Sequence, residues 1–281
     1  MSATEMNATR LSITAVAQNA HLGRWRTEAM RSHTTPRLLY IAKGQGRITI
    51  AGLTSGYGAN NLIFIPANTM YGFDVGPTVF GQILAIPSAM SAEWPDEVAH
   101  LRLRDAGSQR DFLSIIDALE RELKLAGQTH SRAAHYHLGL LSVFFERQLD
   151  DKKSDTHADT SAARLVAAFT DLIERDYRKG LGIADYATAL GVTTTHLTRC
   201  CNKTCGRAAL AILKDRIHYE ACVLLRDTNQ PINEIAADLG FASPAYFSRA
   251  FQAVGGHSPS AFRQNGAAPQ RAQASHRVAG K

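Results

Sequence analysis

One short pattern occurs twice in the C-terminal half of this 281-residue chain, and it limits what that half can fold into. The first copy reads Ala187-x3-Gly191, then Leu197-Thr198-Arg199-Cys200-Cys201, then Gly206. The second reads Ala236-x3-Gly240, then Phe247-Ser248-Arg249-Ala250-Phe251, then Gly256, with one extra residue in the turn after Gly240. Each copy has the logic of two helices joined by a tight turn. A small Ala lets the helices approach, the Gly permits the turn, and Leu197 or Phe247 buries the second helix on the first. The other face of the second helix is left free to enter a DNA major groove, N-terminal end first. A lone Ala-x3-Gly says little; two matched copies say much more. The competing reading is a helical domain that binds protein.

Charge separates the two readings. Residues 1–160 hold 16 Lys+Arg and 16 Asp+Glu, whereas residues 161–281 hold 15 and 9, so the net +6 lies wholly in the C-terminal part. A neutral half joined to a basic one predicts one part that handles something small or uncharged and one that meets a polyanion. A merely soluble basic surface is the bland alternative.

The motifs resemble those of the AraC/XylS family of bacterial regulators, most densely from Leu181 to Arg263. Pro231-Ile232-Asn233-Glu234-Ile235-Ala236, Gly240-Phe241-Ala242-Ser243 and Tyr246-Phe247-Ser248-Arg249-Ala250-Phe251 look like the family's second unit. Gly256-His257-Ser258-Pro259-Ser260-Ala261-Phe262-Arg263 looks like its closing motif, with Phe262 where Tyr is commoner. Two departures are Ala209, where proline is frequent, and Cys201, where a large apolar residue is usual; both bear on packing. Between the units, Ile212, Leu213, Arg216, Ile217, Ala221, Leu224 and Leu225 fit one amphipathic helix. The resemblance makes this helix the spacer that sets the two readers about one helical turn of DNA apart, ~34 Å.

In the first unit Thr193 suits an N-cap, Thr194 is an exposed candidate DNA contact, and the resemblance places the base contacts on Thr195, Thr198 and Arg199. An arginine there can hold guanine O6 and N7 in a bidentate fork, while threonines touch a thymine methyl or a phosphate. The second unit offers Ser243 as cap, Pro244 at the first helical position, and Ala245, Tyr246 and Arg249 as reading positions. Ala245 brings only a methyl group, and Tyr246 competes with a core role.

From His21 to Pro87 the pattern is β, with apolar runs Leu38–Ala42, Arg47–Leu53, Leu62–Pro66 and Val79–Ile86 between Gly, Pro and Asn punctuation. Residues 1–20 read as a loose arm or a first strand. A small antiparallel barrel or sandwich follows, and it resembles the cupin-like effector domain of this family. Metal-dependent cupins place two or three His and a Glu on neighbouring strands. Here His33 stands alone, and Tyr71 occupies the place of a metal-binding His in Ile65-Pro66-Ala67-Asn68-Thr69-Met70-Tyr71-Gly72-Phe73. That set would hold no catalytic metal, so no metal, cofactor, catalytic residue or enzymatic turnover is expected. His33, Arg37, Tyr40, Tyr71 and Phe73 are the candidate lining of an effector pocket, and an arginine beside aromatics suits a small carboxylate, an aromatic one included.

Helical periodicity begins at Arg110. Residues 110–126 and 131–149 form two helices, and the stripe Phe112, Ile116, Leu119, Leu123 has the spacing of a dimer seam or of a cover for the barrel. The apolar-free run Asp150 to His157 reads as a linker, and the tail from Gly266 as disorder.

The expected organisation is therefore α+β: a cupin-like barrel at 1–105, a helical dimerisation arm at 106–149, a linker at 150–160, a tandem helix-turn-helix domain at 161–265 and a tail at 266–281. The expected partners are promoter DNA, a small-molecule effector, a second copy of the chain and, as a further candidate, RNA polymerase. With no export signal and no apolar run of ~20 residues, a cytoplasmic place and no membrane partner are expected. Cys200, Cys201, Cys205 and Cys222 then read as reduced, chiefly packing residues with a redox sensor as the alternative. The rival whole-chain readings are a cupin enzyme with a DNA-binding tail and a non-specific architectural DNA protein.

Overall fold

The computed structural model describes residues 10–17, 25–151 and 160–264. The expected linker lies largely, and the expected tail wholly, outside these residues. The N-terminal part is built from β1 (Ser12–Ala15), a one-turn helix α1 (Trp25–Glu28), β2 (Arg37–Lys43), β3 (Gly46–Ile50), β4 (Leu53–Tyr57), β5 (Asn61–Ile65), β6 (Tyr71–Phe73), β7 (Phe80–Ala85) and β8 (Ala99–Arg102). All pairings are antiparallel, giving a five-stranded sheet in the order β1-β7-β2-β5-β8 and a three-stranded sheet in the order β4-β3-β6.

Strand alternation divides the larger sheet's side chains between two cores. Leu39, Ile41, Ile63, Ile65 and Ile83 meet Ile48, Ile50, Tyr71 and Phe73 of the smaller sheet. Leu38, Tyr40, Leu62, Phe64 and Leu84 face helices α2 (Ala106–Lys124) and α3 (Gln128–Asp150) on the other side. A sheet covered on both faces explains why all five residues of β5 are buried and why that strand shows no polar alternation.

The structure revises several expectations here. The run Arg47–Leu53 is not one strand, because Ala51 and Gly52 both take positive φ and turn the chain into a hairpin between β3 and β4. Gly56 and Tyr57, expected as punctuation, belong to β4. The strands β6 and β8 are too short for periodicity to reveal. The seam expected from Phe112, Ile116 and Leu119 is spent on the larger sheet, with Leu123 packed beside it. What α3 leaves in solvent is another face: Tyr136 at 69%, Leu140 at 57% and Val143 at 41% exposure, spaced one and then nearly two turns along.

The C-terminal part is all helix: α4 (Ser161–Asp176), α5 (Ile183–Ala189), α6 (Thr194–Cys205), α7 (Ala209–Asp227), α8 (Ile232–Asp238), α9 (Pro244–Gly255), and a last turn at 259–264. No described helix is long and apolar enough to cross a membrane.

Candidate DNA interface and effector region

The two repeat copies form matching helix pairs. Gly191 and Gly240 end α5 and α8 at positive φ, and in each turn the next amide closes on the Ala of the repeat: Val192 donates to Ala187 and Phe241 to Ala236, both at 3.0 Å. The second helices begin alike. The Thr193 hydroxyl accepts from the His196 amide, and the Ser243 hydroxyl accepts from the Tyr246 amide, each at 3.2 Å. Leu197 and Cys201 in one unit, Phe247 and Phe251 in the other, bury the inner face of α6 and α9. Cys201 thus fills a large residue's slot. Burial pushes the thiols of Cys201 and Cys222 up to about 12, which makes them poor nucleophiles at neutral pH.

On the outer faces, Thr194, Thr195, Arg199, Ala245, Tyr246 and Arg249 are exposed, Thr198 is half-buried, and Ser243 is committed to its cap. Arg199 lies against its neighbour His196, Nη2 to Nδ1 at 3.0 Å. Tyr246 stands 57% exposed with Phe241 at its flank, 5.8 Å between ring centres. The backbone therefore presents both outer faces with their helix N-termini free, an arrangement suited to phosphate and base edges.

The spacer helix α7 carries a buried ion network. Arg216, 3% exposed, donates to Glu174 at 2.7 and 3.0 Å and to Glu220 at 3.0 Å, and its guanidinium lies 3.9 Å from the Tyr177 ring centre. These contacts tie α7 to α4, so the spacer is braced from one side.

The other side of α7 is gripped by the N-terminal part, a contact that no periodicity signals. Trp25 packs on Tyr219 and Phe262, with ring centres 5.6 and 5.9 Å away. Arg26 pairs with Asp227 at 3.2 Å. The Asp215 carboxylate accepts the Met30 amide at 2.8 Å and Arg207 at 3.0 Å. A second contact sets the β3–β4 turn at Gly52 against Val166 of α4.

The expected effector residues gather at this seam, with one exception. His33 and Tyr71 lie 5.9 Å apart by ring centre, and Phe73 stacks beside Tyr71 at 6.4 Å. Arg37 is near enough to feel Tyr71 and Tyr219 electrostatically. Tyr40 does not join them. It is three residues from Arg37 on the same strand, so alternation turns it to the helical side, where its ring meets Phe112 at 4.5 Å.

Arg31, which sequence reasoning passed over, sits at the centre. Its guanidinium is 4.3 Å from the Tyr71 ring centre and 5.2 Å from that of Phe73, and among the described residues it donates to the carbonyls of Thr27 and Ala29 alone. Arg37 likewise donates only to Thr35 and to the Pro36 carbonyl. Among the described residues neither has a carboxylate partner. Burial, and then the guanidiniums of Arg37, Arg31 and Arg216, hold the His33 imidazole well below its usual pKa range. Burial also lowers the pKa of Arg37. Within the seam, Arg31 and Arg37 are thus the two guanidiniums that carry no carboxylate partner among the described residues, whereas Arg26, Arg207 and Arg216 are paired.

Comparison with known proteins bears on the C-terminal part. Residues 186–265 match a family model described as a helix-turn-helix domain, HTH_18. Two Bacillus subtilis proteins named as uncharacterized HTH-type transcriptional regulators are similar. YisR is 27% identical over 123 residues, covering 43% of this chain and 42% of its own; YfiF is 33% identical over 127, covering 45% and 39%. The chain thus spans about two fifths of the length of these relatives. Among solved structures, ToxT of Vibrio cholerae with an unsaturated fatty acid bound aligns over 90% of this chain and 94% of its own, at 14% identity and a TM-score of 0.45. Residues 186–265 of the chain therefore form a helix-turn-helix domain, similar to that of the two regulators it matches.

Proposed function

We propose that the whole chain is a sequence-specific transcription regulator whose reading of promoter DNA responds to a small organic anion held at the seam between its two parts. In this reading 1–105 bind the effector, 106–149 associate two chains, 150–160 link, and 161–265 read DNA through Thr195, Thr198, Arg199, Tyr246 and Arg249. The observation that carries it is the pair Arg31 and Arg37, buried and half-buried with no carboxylate partner among the described residues, beside the helix that joins the two readers. A buried guanidinium without a counter-charge is costly, and an anionic ligand would remove that cost.

The N-terminal part is a binder rather than a catalyst in this reading. His33 and Tyr71 pack together under arginines instead of converging as ligands for a metal. Association of two chains is assigned to the exposed Tyr136, Leu140 and Val143 face of α3, since the stripe of α2 is already covered.

The test is selection of genomic fragments by purified full-length chain, followed by affinity measurement with a panel of aromatic and aliphatic carboxylates. A ligand that shifts affinity tenfold must favour one conformation by ~1.4 kcal/mol. Arg37→Ala and Tyr71→Ala should abolish the shift and leave ligand-free binding intact. An absence of sequence preference would favour the architectural alternative, and turnover of a substrate with stoichiometric metal would favour the enzyme.

A further inference from the structure

A second cavity, away from the seam arginines, lies inside the DNA-binding part. It measures about 580 Å3 and opens between α7, α9 and the segment 180–182. Its floor includes Leu213 and Phe247, both buried, while Leu210, Tyr246 and Val254 line it at 47%, 57% and 44% exposure. Among the described residues its charged lining is Lys214 and Arg249, with no Asp or Glu. His218 also borders it, nine-tenths buried, with Nδ1 lacking a hydrogen-bond partner among the described residues and Nε2 3.4 Å from Cys222 Sγ.

We propose that this cavity is a ligand site for an amphipathic organic anion, with an aromatic or branched hydrocarbon body and one acidic group. The volume falls within the ~300–1,000 Å3 of small-molecule sites. Apolar walls bury the body, and Lys214 or Arg249 takes the acid. The absence of acidic lining favours an anion over a cation. Three sizeable apolar side chains left open around one concavity mark a surface with something to gain by being covered. Tyr246 and Arg249 belong to both this cavity and the face proposed above to read DNA. An occupant would therefore compete with DNA for them, a consequence that rests on that reading, whereas binding itself does not.

The experiment titrates the full chain with the aromatic anion 1-anilinonaphthalene-8-sulfonate and, as a neutral counterpart, N-phenyl-1-naphthylamine. The expected result is saturable one-site binding of the anion, weakened at least tenfold by Ala250→Phe, which fills the cavity, and by Lys214→Glu. Lys214→Glu should spare the neutral dye, and Arg37→Ala should spare both. Leu210→Glu, at an exposed position, repeats the test should Ala250→Phe lose its near-UV circular dichroism. Saturating promoter DNA should displace the anion. The proposal is overturned by non-saturable binding, by loss that follows Arg37→Ala instead, or by insensitivity to Ala250→Phe and Leu210→Glu. It is overturned equally if a second copy occupies the cavity, seen as affinity that falls with protein concentration, or if a chain ending at 264 binds tenfold tighter, which would assign the cavity to the chain's own end. Binding that persists at saturating DNA removes the competition alone, while a chain that binds no DNA removes the regulator reading and leaves the site standing.

Discussion

Gly180 and Gly240 meet backbone to backbone, so the turn inside the second helix pair rests on the residue that precedes the first. A Cβ added to Gly240 would lie 2.6 Å from the Arg178 carbonyl oxygen and 2.9 Å from Gly180 Cα, and one added to Gly180 would lie 2.5 Å from the Gly240 oxygen. Both residues also hold positive φ, at 70° and 76°. The contact joins the two units directly, in addition to their connection through α7, and so helps fix how far apart and at what angle the readers stand.

Gly240→Ala should therefore destabilise the chain by about 2–4 kcal/mol, the sum of a left-handed non-glycine and a clash with backbone that cannot yield. Gly206 provides the control. It has φ +69° but nothing within 4 Å of an added Cβ, so Gly206→Ala should cost only ~1 kcal/mol. Urea denaturation of both variants measures the difference. Equal costs would mean that the Gly180–Gly240 contact does not brace the pair.

This contact also shows which parts of the molecule were legible in sequence. The helix-turn-helix units were, because Ala187, Gly191, Leu197 and their counterparts act within about twenty residues of one another, and a repeat makes such short-range logic visible twice. The strand β5 and the helices α2 and α3 were legible for the same reason. The hairpin at Ala51-Gly52 was hidden, since one apolar run continues through it. The seam was hidden too: Trp25, Met30 and Arg31 meet Tyr219 and Asp215 across nearly two hundred positions, and no local period encodes that distance. Of the proposed effector residues, only Tyr40 was placed against alternation, and the spacing from Arg37 already carried the information that separates them.

The imidazoles of His33 and His218 should make stability fall on acidification. Burial comes first in lowering each pKa, reinforced at His33 by the neighbouring guanidiniums. Both are held neutral in the folded chain, so below about pH 6.5 the unfolded chain binds protons that the folded one refuses. Stability is whole at neutral pH and is lost as pH drops through that value, by at most ~1.4 kcal/mol per unit for each histidine. His33→Gln and His218→Gln should each flatten the profile between pH 7 and 5. An unchanged slope in His33→Gln would show that this ring protonates freely in the fold.

Replacing Arg199 by Ala should weaken the preferred site by ~1–3 kcal/mol and relax one base position, because a bidentate guanine contact is lost. Arg249→Ala should do the same at a position about one DNA turn away. Fragment selection with each variant checks both. Uniform weakening across all sequences would instead assign that arginine to phosphate.

Leu140→Glu places a charge in the middle of the exposed apolar face of α3, at a position 57% exposed. It should shift a dimer to monomer in sedimentation while leaving thermal stability within ~0.5 kcal/mol. DNA affinity of the full chain should then drop towards that of residues 161–281 alone, since four linked readers become two. A mass unchanged by the substitution would move the association surface elsewhere.

The seam around α7 is one place where a ligand signal can cross, and Asp215 joins its two sides. Its carboxylate holds the Met30 amide from one part and Arg207 from the other, a geometry that exists only while the two parts stay together. Asp215→Ala removes an acceptor from both and leaves the Met30 amide unpaired at a partly buried position, a loss of about 1–3 kcal/mol. Because that cost falls on the contact between the parts, it should appear as loosening before global unfolding. Limited proteolysis should accelerate, and the ratio of DNA affinities with and without an effective carboxylate should shrink towards one. Affinity of residues 161–281 in isolation should be far less changed, since that fragment lacks Met30 altogether. A full chain carrying Asp215→Ala that still responds to ligand over the parent's full range would show that the signal crosses at Gly52 and Val166 rather than at α1.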